Sequence, residues 1–181
     1  MTATARRVLC LCGSLRRVSS NTAALEAMRQ LAPPTLELEL YRGLGTLPLF
    51  NPDDEAATVP ASVLALREAV GRADALLIAC PEYAHGVPGA FKNLLDWLVG
   101  SVEFPGKPVL LLNTAARGSY HAQEALAETL VTMSAQLLAA QPVPVALPGV
   151  GCTAAQVLAS AERRAELCAA LDVLAEALPV A

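Results

Sequence analysis

The residues that could do chemistry gather in three short stretches. The first reads Gly13-Ser14-Leu15-Arg16-Arg17-Val18-Ser19-Ser20-Asn21-Thr22 and holds four hydroxyls, one carboxamide and two guanidinium groups. All of these donate hydrogen bonds. So do the first N–H groups of a helix, about four of which lack intrahelical partners. A helix start also carries partial positive charge, so the set suits an anion and above all a phosphate. The competing reading is ordinary capping by Ser20 or Asn21, with Arg16 and Arg17 in solvent. The stretch is not G-x-G-x-x-G, and it lacks the Lys-Ser/Thr pair of a P-loop. Both a dinucleotide site of the Rossmann kind and an NTPase are therefore disfavoured.

The second stretch is Pro81-Glu82-Tyr83-Ala84-His85-Gly86-Val87-Pro88-Gly89. Two prolines and two glycines force an unusual backbone path. Its exposed N–H and C=O groups suit the edge of a flat heterocycle, with Tyr83 beside the ring. His85 reads equally well as a surface histidine, and Tyr83 as simple packing. The third stretch, 113–121, contains Thr114, Ala115, Arg117, Gly118, Ser119, Tyr120 and His121, and it reads equally well as a plain strand-to-helix connection. The chain has two histidines and no C-x-x-C, which gives a zinc site little support. No metal ligand, nucleophile or catalytic triad is assigned.

The elements that must position these stretches follow from hydrophobic pattern. Val8–Cys12, Ala75–Cys80 and Val109–Leu112 are short apolar runs that read as buried strands, with the unbroken Ala75–Cys80 the mark of a central parallel strand covered on both faces, and Val143–Leu147 reads as a fifth strand. Leu36, Leu38 and Leu40 alternate with Glu37, Glu39 and Tyr41, as in a half-covered strand near a sheet edge. Helices are expected over 22–31, 61–72, 90–99, 123–139 and 154–178, with a loop over 43–60. Their stripes include Leu25 and Met28, then Val63, Leu66 and Val70, then Phe91, Leu94, Leu95 and Leu98. Five strands alternating with five helices predict an α/β three-layer sandwich, a five-stranded parallel sheet of order 2-1-3-4-5. In such a sheet ligands bind beyond the carboxyl ends of the strands, where strand order reverses. The loops there are 13–21, 81–89 and 114–121, the three stretches above.

Composition sets the outer limits. The chain has 181 residues, 54% hydrophobic and 17% charged, which fits a single domain over 1–181 and excludes disorder. The net charge of −4 argues against nucleic acid and anionic membrane as partners, so any anion must be held by local groups. No apolar run approaches the roughly 20 residues of a membrane helix. Val8–Cys12 is too short for a signal-peptide core, and the five cysteines read as buried small hydrophobes in a reducing compartment. The expected location is the cytoplasm.

Two motifs carry a family resemblance. Gly13-Ser14-Leu15-Arg16-x-x-Ser19-x-Asn21 resembles the phosphate loop of the NADPH-dependent FMN reductases, a flavodoxin-like family that includes chromate, quinone and azo reductases. Pro81-Glu82-Tyr83-x-x-x-x-Pro88-Gly89-x-x-Lys92-Asn93-x-x-Asp96-Trp97 resembles its second signature. The similarity in organisation covers essentially the whole chain.

The resemblance implies that Ser14, Arg16, Ser19 and Asn21 hold the FMN phosphate, helped by Ser20 and Thr22. It implies that Pro81, Glu82 and Tyr83 line the flavin, with Ala84, His85 and Gly86 near its edge and Ala115 and Gly118 in the third loop beside it. It further implies NAD(P)H as co-substrate and hydride transfer to bound FMN. The acceptor is then a free flavin, quinone, azo compound or metal oxyanion. The alternatives are a non-enzymatic electron carrier of the flavodoxin type, and a flavin-free binding protein of the same fold.

The sequence departs from the family pattern in two places. Ala84 stands where Asn is frequent, and Gly118-Ser119-Tyr120-His121 stands where Gly-Gly and a nearby Arg are usual. The family also implies a homodimer or homotetramer, to which Trp97, Leu98 and Val99 could contribute apolar surface, although Trp97 reads equally as buried within the monomer.

Overall fold

A computed structural model of the protein describes residues 4–116 and 120–178. The strands are β1 (Arg6–Cys12), β2 (Leu36–Leu40), β3 (Ala75–Ala79), β4 (Pro108–Ala115), β5 (Gln136–Leu137) and β6 (Val143–Leu147). The α-helices are α1 (Ser20–Leu31), α2 (Pro52–Ala57), α3 (Ala61–Arg72), α4 (Gly89–Val99), α5 (Tyr120–Thr132), α6 (Ala154–Leu158) and α7 (Ala161–Ala177). All strand pairs are parallel, in the order β2-β1-β3-β4-β5. This is the expected flavodoxin-like order.

The sheet has a sixth strand because the position beside β4 is shared by two segments. β5 pairs with Pro108 and Val109, at the start of β4. β6 pairs with Leu112, Asn113 and Ala115, near its end. The expected fifth strand is β6, and β5 is a two-residue addition before it.

Strand alternation sends side chains into two cores. Val8, Cys10, Leu77, Leu110, Leu112 and Val145 pack against α1 and α7, where Ala24, Met28, Leu167 and Leu171 meet them. Leu9, Leu11, Leu76, Ile78, Val109 and Leu111 pack against α3, α4 and α5 through Leu66, Phe91, Leu94 and Leu126. Ala23, Ala24 and Ala27 are buried on α1, and their small size lets that helix lie close to the sheet. The edge strand β2 buries Leu36 and Leu38 and exposes Glu37 and Glu39, as its alternation predicts.

α1 starts two residues before the expected 22, at Ser20, and α5 three before the expected 123, at Tyr120; three larger differences from the pattern reading follow. α5 stops at Thr132 because Ser134 turns left-handed, with φ 67°, and Ala135 N–H then donates back to Leu130 O at 2.9 Å. This is the helix-ending geometry that glycine usually provides, and serine gives no such sequence signal. The C-terminal helix is two helices. Thr153 caps α6 in a capping box with Gln156, and the side chain of Ser160 accepts from Arg163 N–H to start α7. The segment 43–60, expected as loop, contains α2, whose cap Asn51 accepts from Asp53 N–H and whose first turn carries Asp53, Asp54 and Glu55.

Candidate functional site

The first turn leaves the sheet at Gly13, whose N–H donates to Ala79 O at 2.9 Å. A Cβ on Gly13 would lie 3.1 Å from Cys80 Cα, so the ends of β1 and β3 approach with no room for a side chain. Burial pushes the Cys80 thiol pKa up, with nearby Cys12 adding to the effect. Cys80 therefore stays a neutral thiol, its Sγ donating to Pro81 O at 3.6 Å.

Ser19, rather than Ser20 or Asn21, caps α1. Its Oγ accepts from Thr22 N–H at 3.4 Å. Ser14 Oγ accepts from Arg16 N–H at 3.3 Å. Asn21 Oδ1 accepts from the Thr114 hydroxyl at 2.9 Å, a buried bond that ties α1 to the end of β4. Each bond occupies an acceptor oxygen and leaves hydrogens over. The hydroxyl hydrogens of Ser14 and Ser19 and the Asn21 Nδ2 group have no acceptor among the described residues. Nor do the backbone N–H groups of Ser20 and Asn21 at the start of α1.

Arg16 is not simply solvated. Its Nη1 donates to Gly149 O at 3.1 Å and its Nη2 to Val150 O at 2.8 Å. A guanidinium carries about five N–H donors, so further ones remain. Ser20 Oγ donates to Pro148 O and accepts from Cys152 Sγ. The Thr22 hydroxyl pairs with Cys12 Sγ at 3.2 Å, behind the turn.

These groups open onto a cavity of about 190 Å³. From the first turn, Ser14, Arg16, Ser19, Ser20 and Asn21 line it. Pro81, Glu82 and Tyr83 come from the second loop, and Thr114 and Ala115 from the end of β4. A second depression of about 360 Å³, lined by Gly13, Leu15, Pro88, Gly89 and Ala90, shares Arg16 and Tyr83 with the first. Thr22, Ala84, His85 and Gly86 line neither. Gly118, with Arg117 and Ser119, lies outside the described residues.

The second loop is a tight two-residue turn. Tyr83 N–H donates to Gly86 O and Gly86 N–H to Tyr83 O, both at 3.0 Å. Ala84 and His85 sit at its tip with φ 50° and 60°, the left-handed pair of a type I′ turn. Glu82 Oε2 accepts from Ala122 N–H at 2.9 Å, which places a carboxylate on the positive end of α5. Gln123 Nε2 donates to Cys80 O at 3.1 Å, while its buried Oε1 has no partner among the described residues. The His85 and His121 rings stack at 4.4 Å and join the second loop to α5, with Tyr120 packed 5.2 Å from His121.

Pro148 and Gly149 also line the cavity, and the sequence reading missed them. The signal was present: Pro148-Gly149-Val150-Gly151 follows the last strand at the same carboxyl end as the other loops. A groove of about 200 Å³ at the opposite end of the sheet, near Arg7, Glu37 and Arg72, holds no comparable donor set among the described residues. There Arg7 pairs with Glu37 at 3.7 Å and Arg72 with Glu68.

The family described as NADPH-dependent FMN reductase matches residues 6–148. A protein of Pseudomonas aeruginosa named NAD(P)H-dependent FMN reductase is 41% identical over 129 residues, 69% of each chain. A quinone reductase of Escherichia coli is 35% identical over 129 residues, 66% of this chain and 69% of its own. Among solved structures, FerB of Paracoccus denitrificans, a flavoenzyme NAD(P)H:(acceptor) oxidoreductase, superposes with a TM-score of 0.74 at 27% identity. It covers 94% of this chain and 98% of its own. The family match over most of the chain and relatives 35–41% identical show that the chain belongs to the NADPH-dependent FMN reductase family.

Proposed function

We propose that this chain is a single-domain, FMN-dependent NAD(P)H reductase of the cytoplasm that passes electrons to a small acceptor. The acceptor class is free flavin, quinone, azo compound or metal oxyanion. The observation that carries the reading is the donor excess of the first turn. Internal bonds occupy the oxygens of Ser14, Ser19 and Asn21 and leave their hydrogens facing a cavity edged by Arg16. A phosphoryl group is all acceptor and fits such a set. Pockets for ligands of cofactor size run to about 300–1,000 Å³, so the first depression holds the phosphoryl end and the second gives room for the ring.

When bound, FMN supplies the hydride and electron chemistry. The protein's own residues bind and orient it. Ser14, Arg16, Ser19 and Asn21 hold the phosphoryl group, with the N–H groups of Ser20 and Asn21 at the helix start. The second loop lies along the ring. Its Glu82 N–H, on the cavity wall, has no backbone acceptor among the described residues and stabilises negative charge at the ring edge, whereas Ala84 and His85 sit beyond both depressions. Tyr83, half-exposed, covers one side. Tyr120 and His121 border the open face and shape what reaches it. Trp97 and Leu98 are buried within the monomer, so of the three residues expected to offer apolar surface only Val99, 63% exposed, remains for a homodimer or homotetramer.

The test titrates apo-protein with FMN and riboflavin by flavin fluorescence, in the native chain and in Arg16→Ala. Losing charged hydrogen bonds is expected to weaken FMN by about 1.5–3 kcal/mol and leave riboflavin unchanged. An unchanged FMN dissociation constant removes Arg16 from the site.

A further inference from the structure

The loop after β6 does more than connect to α6. Three of its consecutive carbonyls receive side chains of the first turn: Pro148 O from Ser20, Gly149 O from Arg16 Nη1 and Val150 O from Arg16 Nη2. Gly151 then passes against the turn itself. Its φ is +99°, and a Cβ there would lie 2.7 Å from Val18 O and 3.2 Å from Val18 Cγ1. Gly151 N–H donates to Pro148 O at 3.2 Å, which closes the loop into a turn with its carbonyls presented together. Cys152 is buried behind it, and Thr153 caps α6 immediately after. The loop is thus fastened on both sides, and only glycine at 151 permits its approach.

We propose that Gly149, Val150 and Gly151 are positioning residues for the phosphoryl group of the cofactor, acting through Arg16; this rests on the function proposed above. An arginine in solvent samples many rotamers, and binding must order them. Here two backbone carbonyls hold the guanidinium by two of its nitrogens, so the ordering precedes the ligand. The fork has about five N–H donors, and those left over face a phosphoryl group without breaking either carbonyl bond. The same loop changes the role of Ser20. Its hydroxyl hydrogen goes to Pro148 O, so Ser20 serves the phosphate through its backbone N–H and locks the loop with its side chain.

Linkage makes the idea testable in both directions. If the docked loop strengthens phosphate binding, phosphate binding must stabilise the docked loop by the same factor. The experiment measures FMN and riboflavin dissociation constants for native protein, Gly151→Ala, Arg16→Ala and the double variant. Gly151→Ala is expected to weaken FMN about three- to tenfold and leave riboflavin unchanged. In the Arg16→Ala background the same change is expected to have no further effect on FMN.

An equal loss of both ligands, or additive losses of FMN, overturns the inference. If Arg16→Ala alone leaves FMN binding intact, the phosphate reading of the first turn fails instead. Hydrogen exchange on the native protein serves as the second readout should Gly151→Ala not fold. FMN, and not riboflavin, is expected to slow exchange across 149–152. Equal exchange with both ligands contradicts the proposal.

Discussion

In the proposed function, Ser14, Ser19 and Asn21 make an anion site from neutral side chains. Each uses its oxygen to hold the backbone or a neighbouring strand, and each is left with hydrogens to give. The motif named these residues because their types were conspicuous. It could not tell which oxygen was occupied, so the capping role fell to Ser19 and the Ser20 hydroxyl went to Pro148. Ala84 raises a different point. It holds a left-handed backbone, φ 50°, in a turn where Asn is accommodated at lower cost. Ala84→Asn is therefore expected to raise stability by about 1 kcal/mol. Urea unfolding measures this, and an unchanged or lower midpoint would show that the turn is not strained there.

Strands and most helices were legible because burial on both faces leaves unbroken apolar runs, as in Ala75–Ala79, and one-sided burial leaves stripes, as in α4. Helix ends were less legible where the terminating residue is not glycine or proline. Ser134 ends α5 in a conformation that its side chain does not advertise. Ser160 divides α6 from α7 within a segment otherwise rich in Ala and Leu. α7 buries Leu167, Ala170, Leu171 and Leu174, on the face that packs against α1 and β6. Ser160→Ala removes the oxygen that receives Arg163 N–H, and the expected cost is about 1 kcal/mol. A thermal melt tests it. No loss of stability would mean that packing alone sets the start of α7.

Across the whole molecule, an excess of acid coexists with the site proposed for an anion. The net charge is −4, yet among the described residues the one carboxylate lining the cavity, Glu82, is turned onto the start of α5, and side chains of the first turn line the same cavity. Attraction is local, within a screening length of about 10 Å. Of the loops that the parallel strands bring to one end of the sheet, four line the cavity among the described residues; three were expected from the topology, and the loop after β6 is the fourth. Among the described residues no helix is long and apolar enough to cross a membrane. The central claim is that this end of the sheet holds FMN for reduction by NAD(P)H. Its most direct test is the absorption spectrum of the FMN-loaded protein under anaerobic NADPH. The account predicts a yellow protein whose flavin band bleaches on NADPH addition and returns with a quinone. A protein that takes up no FMN, or whose band is unmoved by NADPH and NADH alike, contradicts it.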